Sequence, residues 1–340
     1  MTRQHSPDLP FSPALASAPA GRPGRAAGPG GPGAGAGLKA LDGPALGLMG
    51  LLCLIWSLQQ VSLKAVSPLA SPMLMVALRS VVALALLLGL MGWRGERLQP
   101  QRWRAGVLVG GLFGVEYWLV SAALKLTAAS HVVVFLYTAP IFAALGLHLR
   151  LPAERLGARQ AAGIALAFVG IALAFLAGQG AGQAQSATPG SAGSAAALLG
   201  DVLALLAGAA WGMTTVAIRC SALSAAPATE MLVYQLAGAV LLLLPGAWIS
   251  GQWHFEASTA VWLHLGFQSL VVSFASFLAW CWLLGRYLAS RLGSLAFLTP
   301  LFGVLLGHWL LQEALQPAFV AGSALVLLGI GLVSLPARRT

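Results

Sequence analysis

The chain reads as an all-α membrane protein: ten transmembrane helices in two inverted five-helix repeats, with N and C termini cytoplasmic. Three observations carry that reading: an apolar composition, ten apolar spans, and one stretch that occurs twice. Of 340 residues, 58% are hydrophobic and only 8% charged, against roughly a quarter charged in soluble domains. A soluble core of this size has no use for that much apolar surface, whereas runs of ~20 apolar residues cross a bilayer as helix.

The stretch that occurs twice runs from Pro140 to Leu173. Its opening, P-I-F-A-A-L-G-L-H from Pro140 to His148, returns as P-L-F-G-V-L-L-G-H from Pro300 to His308. Glu154, Gly163 and Gly170 return as Glu313, Gly322 and Gly329, and Trp56 and Lys64 return as Trp211 and Arg219. Two halves of one chain therefore share an architecture.

Residues 1–43 are rich in Pro, Gly, Ala and Ser, a composition that cannot bury enough surface to fold and predicts a disordered cytoplasmic tail. The first apolar span begins only near Pro44, so no cleavable signal peptide is expected. The first repeat, 44–176, holds spans at roughly 44–64, 73–92, 105–124, 129–149 and 157–176. An uncharged Gly/Gln/Ser-rich segment, 177–197, reads as a flexible extracytoplasmic linker. The second repeat, 198–336, holds spans at roughly 198–218, 229–249, 260–283, 290–311 and 317–336. Residues 337–340 form a short cytoplasmic tail.

Charge fixes the orientation. Sixteen of the 19 Lys and Arg residues fall in the N-terminal tail, at Arg338 and Arg339, and at those span ends that share their side of the membrane. Only Lys64 and Lys125 fall opposite, and Arg79 lies within a span. The positive-inside rule then places both termini in the cytoplasm. An odd number of spans per half inserts the second half upside down, the plan of transporters with a site at the repeat interface. The net charge of +10 is thus a topology signal in loops, and nucleic acid is not an expected partner. The expected setting is the lipid bilayer of the cell (inner or plasma) membrane, crossed many times, with a homodimer compatible with that plan. Cys53, Cys220 and Cys281 have no metal or disulfide spacing and read as packing residues.

These features resemble the drug/metabolite transporter superfamily, in its ten-helix EamA-type branch. The resemblance covers about 44–336 and rests on Pro140, Glu154, Gly163 and Gly170 with Pro300, Glu313, Gly322 and Gly329. The Trp56 and Trp211 helices add to it, as does Gly200-Asp201 opening the second half. It implies export or exchange of small metabolites such as amino acids across a bacterial-type inner membrane, and it names no substrate.

Candidate site residues follow from polar groups inside apolar spans. A charge at the bilayer centre costs at least ~2.5–3.5 kcal/mol on insertion scales, so such groups pair or face water. At ~1.5 Å per residue, Glu116 lies about 16 Å and Arg79 about 20 Å from the cytoplasmic ends of their spans. Similar depth predicts that they share a site, as an ion pair that substrate or protons disturb. Trp56, Gln59 and Gln60 share one helix face, and Trp211, Thr214 and Thr215 repeat it. Ser269, Ser273, Ser276 and Trp280 form a stripe on span eight, Glu116, Tyr117 and Ser121 one on span three, and Tyr137 stands near Pro140. Aromatic walls with a few polar fixings suit a small amphipathic solute, although Ser, Thr and Gln also bond between membrane helices.

Pro140 and Pro300 fall inside spans four and nine, where a proline removes one backbone bond and kinks the helix. The carbonyls of Leu136 and Ala296 then need other partners. His131 is a second proton-coupling candidate beside Glu116. His148, His308, Glu154 and Glu313 read as helix-end groups, and the paired glycines as helix-packing positions.

The function expected is secondary transport by alternating access, with no cofactor and no metal. Multidrug or toxic-compound efflux by proton antiport is the alternative. An intramembrane enzyme or a channel fits less well. The chain has no phosphate-binding G-x-x-x-x-G-K-[ST] loop and no H-E-x-x-H or G-x-S-x-G motif. Two kinked, inverted halves also suit alternating access better than a filter.

Overall fold

A computed structural model describes residues 42–150, 157–181, 193–284, 295–296, 298–313, 315 and 317–334. The expected tail (apart from its last two residues), the C-terminal tail and Glu154 lie outside the described residues. Among the described residues the protein is all-helical; the sole β pairing is an isolated antiparallel bridge between Ala70 and Phe255.

Helix α1 spans Gly43–Val66, opened by the Asp42 carboxylate, which accepts from the Ala45 amide at 3.0 Å, and by a proline in the first turn, where no amide is needed. Helix α2 spans Pro72–Arg94 and stops at Gly95, whose left-handed φ of 69° suits glycine. Helix α3 follows at Trp103–Leu126. Span four is two helices, α4 (Ala129–Leu136) and α5 (Ala139–Arg150), and α6 spans Ala158–Ala181. In the second half α7 spans Gly193–Arg219 and α8 Ala228–Ile249. Span eight is continuous: α9 (Thr259–Gly266), a π-helical stretch (Phe267–Ser276) and α10 (Phe277–Leu284). Helices α11 (Leu298–Leu311) and α12 (Pro317–Ser334) are the last among the described residues. Among the described residues, seven helical segments are long and apolar enough to cross a membrane, and three shorter apolar helices accompany them.

Three features differ from the sequence reading. Pro140 does not bend a continuous helix. The backbone turns at Tyr137 and Thr138, and Pro140 is the second residue of the next helix, where its missing amide costs no hydrogen bond. Pro300 likewise stands in the first turn of α11. Helix also reaches into the expected linker from both sides, to Ala181 and from Gly193. Finally, Glu313 does not serve its own helix. Its carboxylate accepts from the Ala129 and Ser130 amides at 2.7 and 3.1 Å, capping α4 of the other half.

The duplication is visible in the packing. Helices α6 and α12, equivalent by repeat, lie against each other. A Cβ at Gly170 would come 2.6 Å from the Gly322 carbonyl, and one at Gly329 2.5 Å from the Gly163 carbonyl. Gly163 meeting Gly329 and Gly170 meeting Gly322 means that the two helices run antiparallel, backbone to backbone. Elsewhere the halves exchange partners in the same sense. Helix α1 packs on α11 as α7 packs on α4 and α5, and α2 packs on the π-helical stretch as α3 packs on α8.

The broken helices show how one rule is met twice. In the second half, Cys53 Sγ lies 3.4 Å from the Leu295 carbonyl, and Ser57 Oγ donates to the Thr299 carbonyl at 2.6 Å. In the first half the equivalent carbonyls, Phe135 and Ala139, face Gly208 and Gly212, where an added Cβ would come within 2.8 and 2.7 Å of them. Backbone oxygens near a break must be bonded inside a membrane, and the Phe135 carbonyl also accepts from the Thr138 amide and hydroxyl at 3.2 and 2.6 Å.

Candidate solute-binding site

Four elements from both halves converge on Arg79. Its side chain is 1% exposed, and Nη1 donates to Gln268 Oε1 at 2.6 Å. The guanidinium carbon stands 4.6 Å from the centre of the Tyr117 ring, a cation–π contact strengthened by desolvation. Gln59 Nε2 donates to the Tyr117 hydroxyl at 3.3 Å, and Gln268 Nε2 donates to the Gln59 carbonyl at 2.8 Å. The circuit Arg79–Gln268–Gln59–Tyr117 thus closes on itself through α2, the π-helical stretch, α1 and α3.

The expected Arg79–Glu116 ion pair is not formed. No salt bridge joins them among the described residues; their charges act on each other across the site without contact. Arg79 instead takes a neutral amide and an aromatic face, which fix its geometry and leave its charge in force. Glu116 is 4% exposed and its Oε2 has no hydrogen-bond partner; Arg79 Nε, Gln60 Oε1, Ser269 Oγ and Ser273 Oγ are also buried without one. Buried polar atoms are nearly always satisfied, so such a group of orphans calls for an explanation.

Aromatic rings wall the same region. Trp56 Nε1 donates to Ser276 Oγ at 3.0 Å, and its ring meets Trp280 edge-on at 5.5 Å. Phe113 packs on Tyr117 and Phe277. Tyr137, at the helix break, meets Trp211 edge-on at 5.1 Å and lies within electrostatic reach of Thr299, Tyr117 and Glu116. The second-half stripe contributes less. Thr214 is buried but donates to the Ala210 carbonyl at 2.9 Å, and Thr215 is exposed with its hydroxyl on Trp211 of its own helix.

His131 belongs to a separate cluster. Its Nδ1 lies 3.1 Å from both oxygens of Asp201, and its ring stacks on Phe319 at 3.9 Å. Thr127 donates to the same carboxylate at 2.6 Å, while Lys64 Nζ donates to the Leu124 and Thr127 carbonyls. With Glu313 on the α4 amides, these groups tie both halves together at one end of the bundle.

Gln268 escaped the sequence reading because α-helical spacing of Ser269, Ser273, Ser276 and Trp280 left it off the polar face. The π-helical stretch changes that spacing and buries Gln268, Ser269, Val272, Ser273 and Ser276 together. Wide turns of this kind recur at functional sites.

The EamA-like transporter family matches the chain twice, over residues 44–176 and 198–335. The chain belongs to the EamA-like transporter family. This family member is a multi-pass membrane transporter of the drug/metabolite type, built from two repeats. Twenty-two chains of solved structures are similar to it. One, titled only "Crystal structure of protein", is 22% identical, with a TM-score of 0.60 over 87% of this chain and 97% of that one. It shares the fold. Among curated proteins, none matches.

Proposed function

We propose that this EamA-like transporter exports or exchanges a small amphipathic metabolite, an amino acid or similar solute, by alternating access. The supporting observation is a pair of buried opposite charges kept apart: Arg79 Nε and Glu116 Oε2 both lack a protein partner. A guanidinium receives a carboxylate and a carboxylate receives an ammonium, so a zwitterion satisfies both atoms at once. The walls of Trp56, Trp280, Phe113 and Tyr137 suit its apolar part. Transport leaves the solute chemically unchanged.

In this reading ten spans cross the inner or plasma membrane, the termini are cytoplasmic, and the segment 177–197 links the halves on the outer side. The two repeats, 44–176 and 198–336, rock about the site. Efflux of toxic compounds by proton antiport is the second reading, with Glu116, buried and in no salt bridge among the described residues, as the proton carrier.

Uptake of labelled amino acids into proteoliposomes, against a panel of lipophilic cations, separates the two. Arg79→Gln and Glu116→Gln are each expected to raise KM for the amino acid about tenfold or more, the loss of one charged hydrogen bond. Cation transport with no amino acid transport supports the antiport reading. Transport by Glu116→Gln that matches the unsubstituted chain at every pH removes Glu116 from any proton role.

A further inference from the structure

Gln268 holds a position that neither the polar stripe nor the charged pair explains. It is fully buried, with both ends of its amide engaged. The orientation of that amide follows from its partners alone. Arg79 has only donors to offer and the Gln59 carbonyl can only accept, so Oε1 must face Arg79 and Nε2 must face Gln59. The 2.6 and 2.8 Å distances meet both demands.

We infer that Gln268 is a positioning residue for solute binding, one that aims Arg79 while leaving its positive charge unneutralised. This rests on the reading of Arg79 as the carboxylate-binding group. A guanidinium has five N–H donors around its rim and two faces. Here Nη1 donates to Gln268 and one face lies on Tyr117, while Nε–H is a buried donor without a partner. A carboxylate at position 268 would hold the same edge more strongly, but would cancel the charge that an incoming anion needs. An aliphatic side chain would keep the charge and lose the aim. A neutral acceptor does both tasks.

The π-helical stretch is what delivers this acceptor. Ser269 and Ser273 are turned inward on the same wide turns, their hydroxyls also unpartnered. The span that faces Arg79 therefore presents one committed group and two uncommitted ones.

The test compares Gln268→Glu, Gln268→Leu and Arg79→Gln in proteoliposomes, with an equimolar labelled mixture of the twenty amino acids as probe and thermal unfolding as a second readout. Gln268→Glu keeps an acceptor on Arg79 but sets a second oxygen against the Gln59 carbonyl in place of the Nε2 donor. It is therefore expected to unfold at a lower temperature and to raise KM about tenfold to a hundredfold, because the bond to a charged group is lost to solute. Gln268→Leu is expected to raise KM with maximal rate within about twofold. A purely structural role predicts that Gln268→Glu lowers the unfolding temperature and leaves the KM of the folded protein unchanged, and that result overturns the inference. If Arg79→Gln impairs transport and Gln268→Glu does not, the inference fails while the site stands. No uptake by the unsubstituted chain, or no effect of Arg79→Gln, overturns the site reading and the inference with it.

Discussion

Trp56 does two jobs that one substitution separates. Its ring stands edge-on to Trp280, and its Nε1–H fixes Ser276 on the facing span. Trp56→Phe keeps an aromatic wall and deletes the donor. The expected cost is that of one neutral hydrogen bond, about 0.5–1.5 kcal/mol. Transport kinetics should show it as a few-fold rise in KM, and a rise of a hundredfold would mean that Trp56 Nε1 bonds the solute itself. Arg79 and Glu116 were legible at this scale because a charge in an apolar span has few bland explanations. Their partners were not. Sequence shows which residues are charged, whereas which neutral group lies opposite depends on a helix's turn width, and nothing in the run 267–276 announces a π-helix.

At the scale of elements, the breaks at Pro140 and near Pro300 were legible as irregularities, though not as helix starts. What remained hidden is the division of labour opposite them. The same backbone oxygens meet Cys53 and Ser57 in one half and Gly208 and Gly212 in the other. Each half therefore tolerates a different change. Ser57→Gly removes one hydrogen bond, about 1 kcal/mol. Gly212→Ala inserts a Cβ where Phe142 Cβ and the Ala139 carbonyl would both lie at 2.7 Å, and overpacking of that kind costs about 1–3 kcal/mol. Thermal unfolding in detergent should rank Gly212→Ala below Ser57→Gly. The opposite ranking would show that the helix break relaxes freely.

Across the whole molecule, the repeat was the most legible feature of all, since Gly163 and Gly170 stand in register with Gly322 and Gly329. Gly163, Gly170, Gly322 and Gly329 were expected to pack helices, and they pack each other, crosswise, along α6 and α12. The placement of Glu313 was not legible, because a side chain that crosses from one half to the other leaves no trace in local sequence.

That crosswise glycine seam has a consequence for how the protein is made. A newly inserted first half carries a bare glycine stripe on α6, and its natural cover is not synthesised until α12 leaves the ribosome. A second copy of the first half cannot substitute. Its own charge bias would insert it the same way up, and α6 would meet its twin parallel instead of antiparallel. Residues 1–181 and 182–340 expressed as separate chains should therefore recover as a pair on affinity purification through either half, with uptake restored. Two first halves should restore none. The late arrival of α12 makes its truncation costly, because the glycine stripe of α6 then stays uncovered for good.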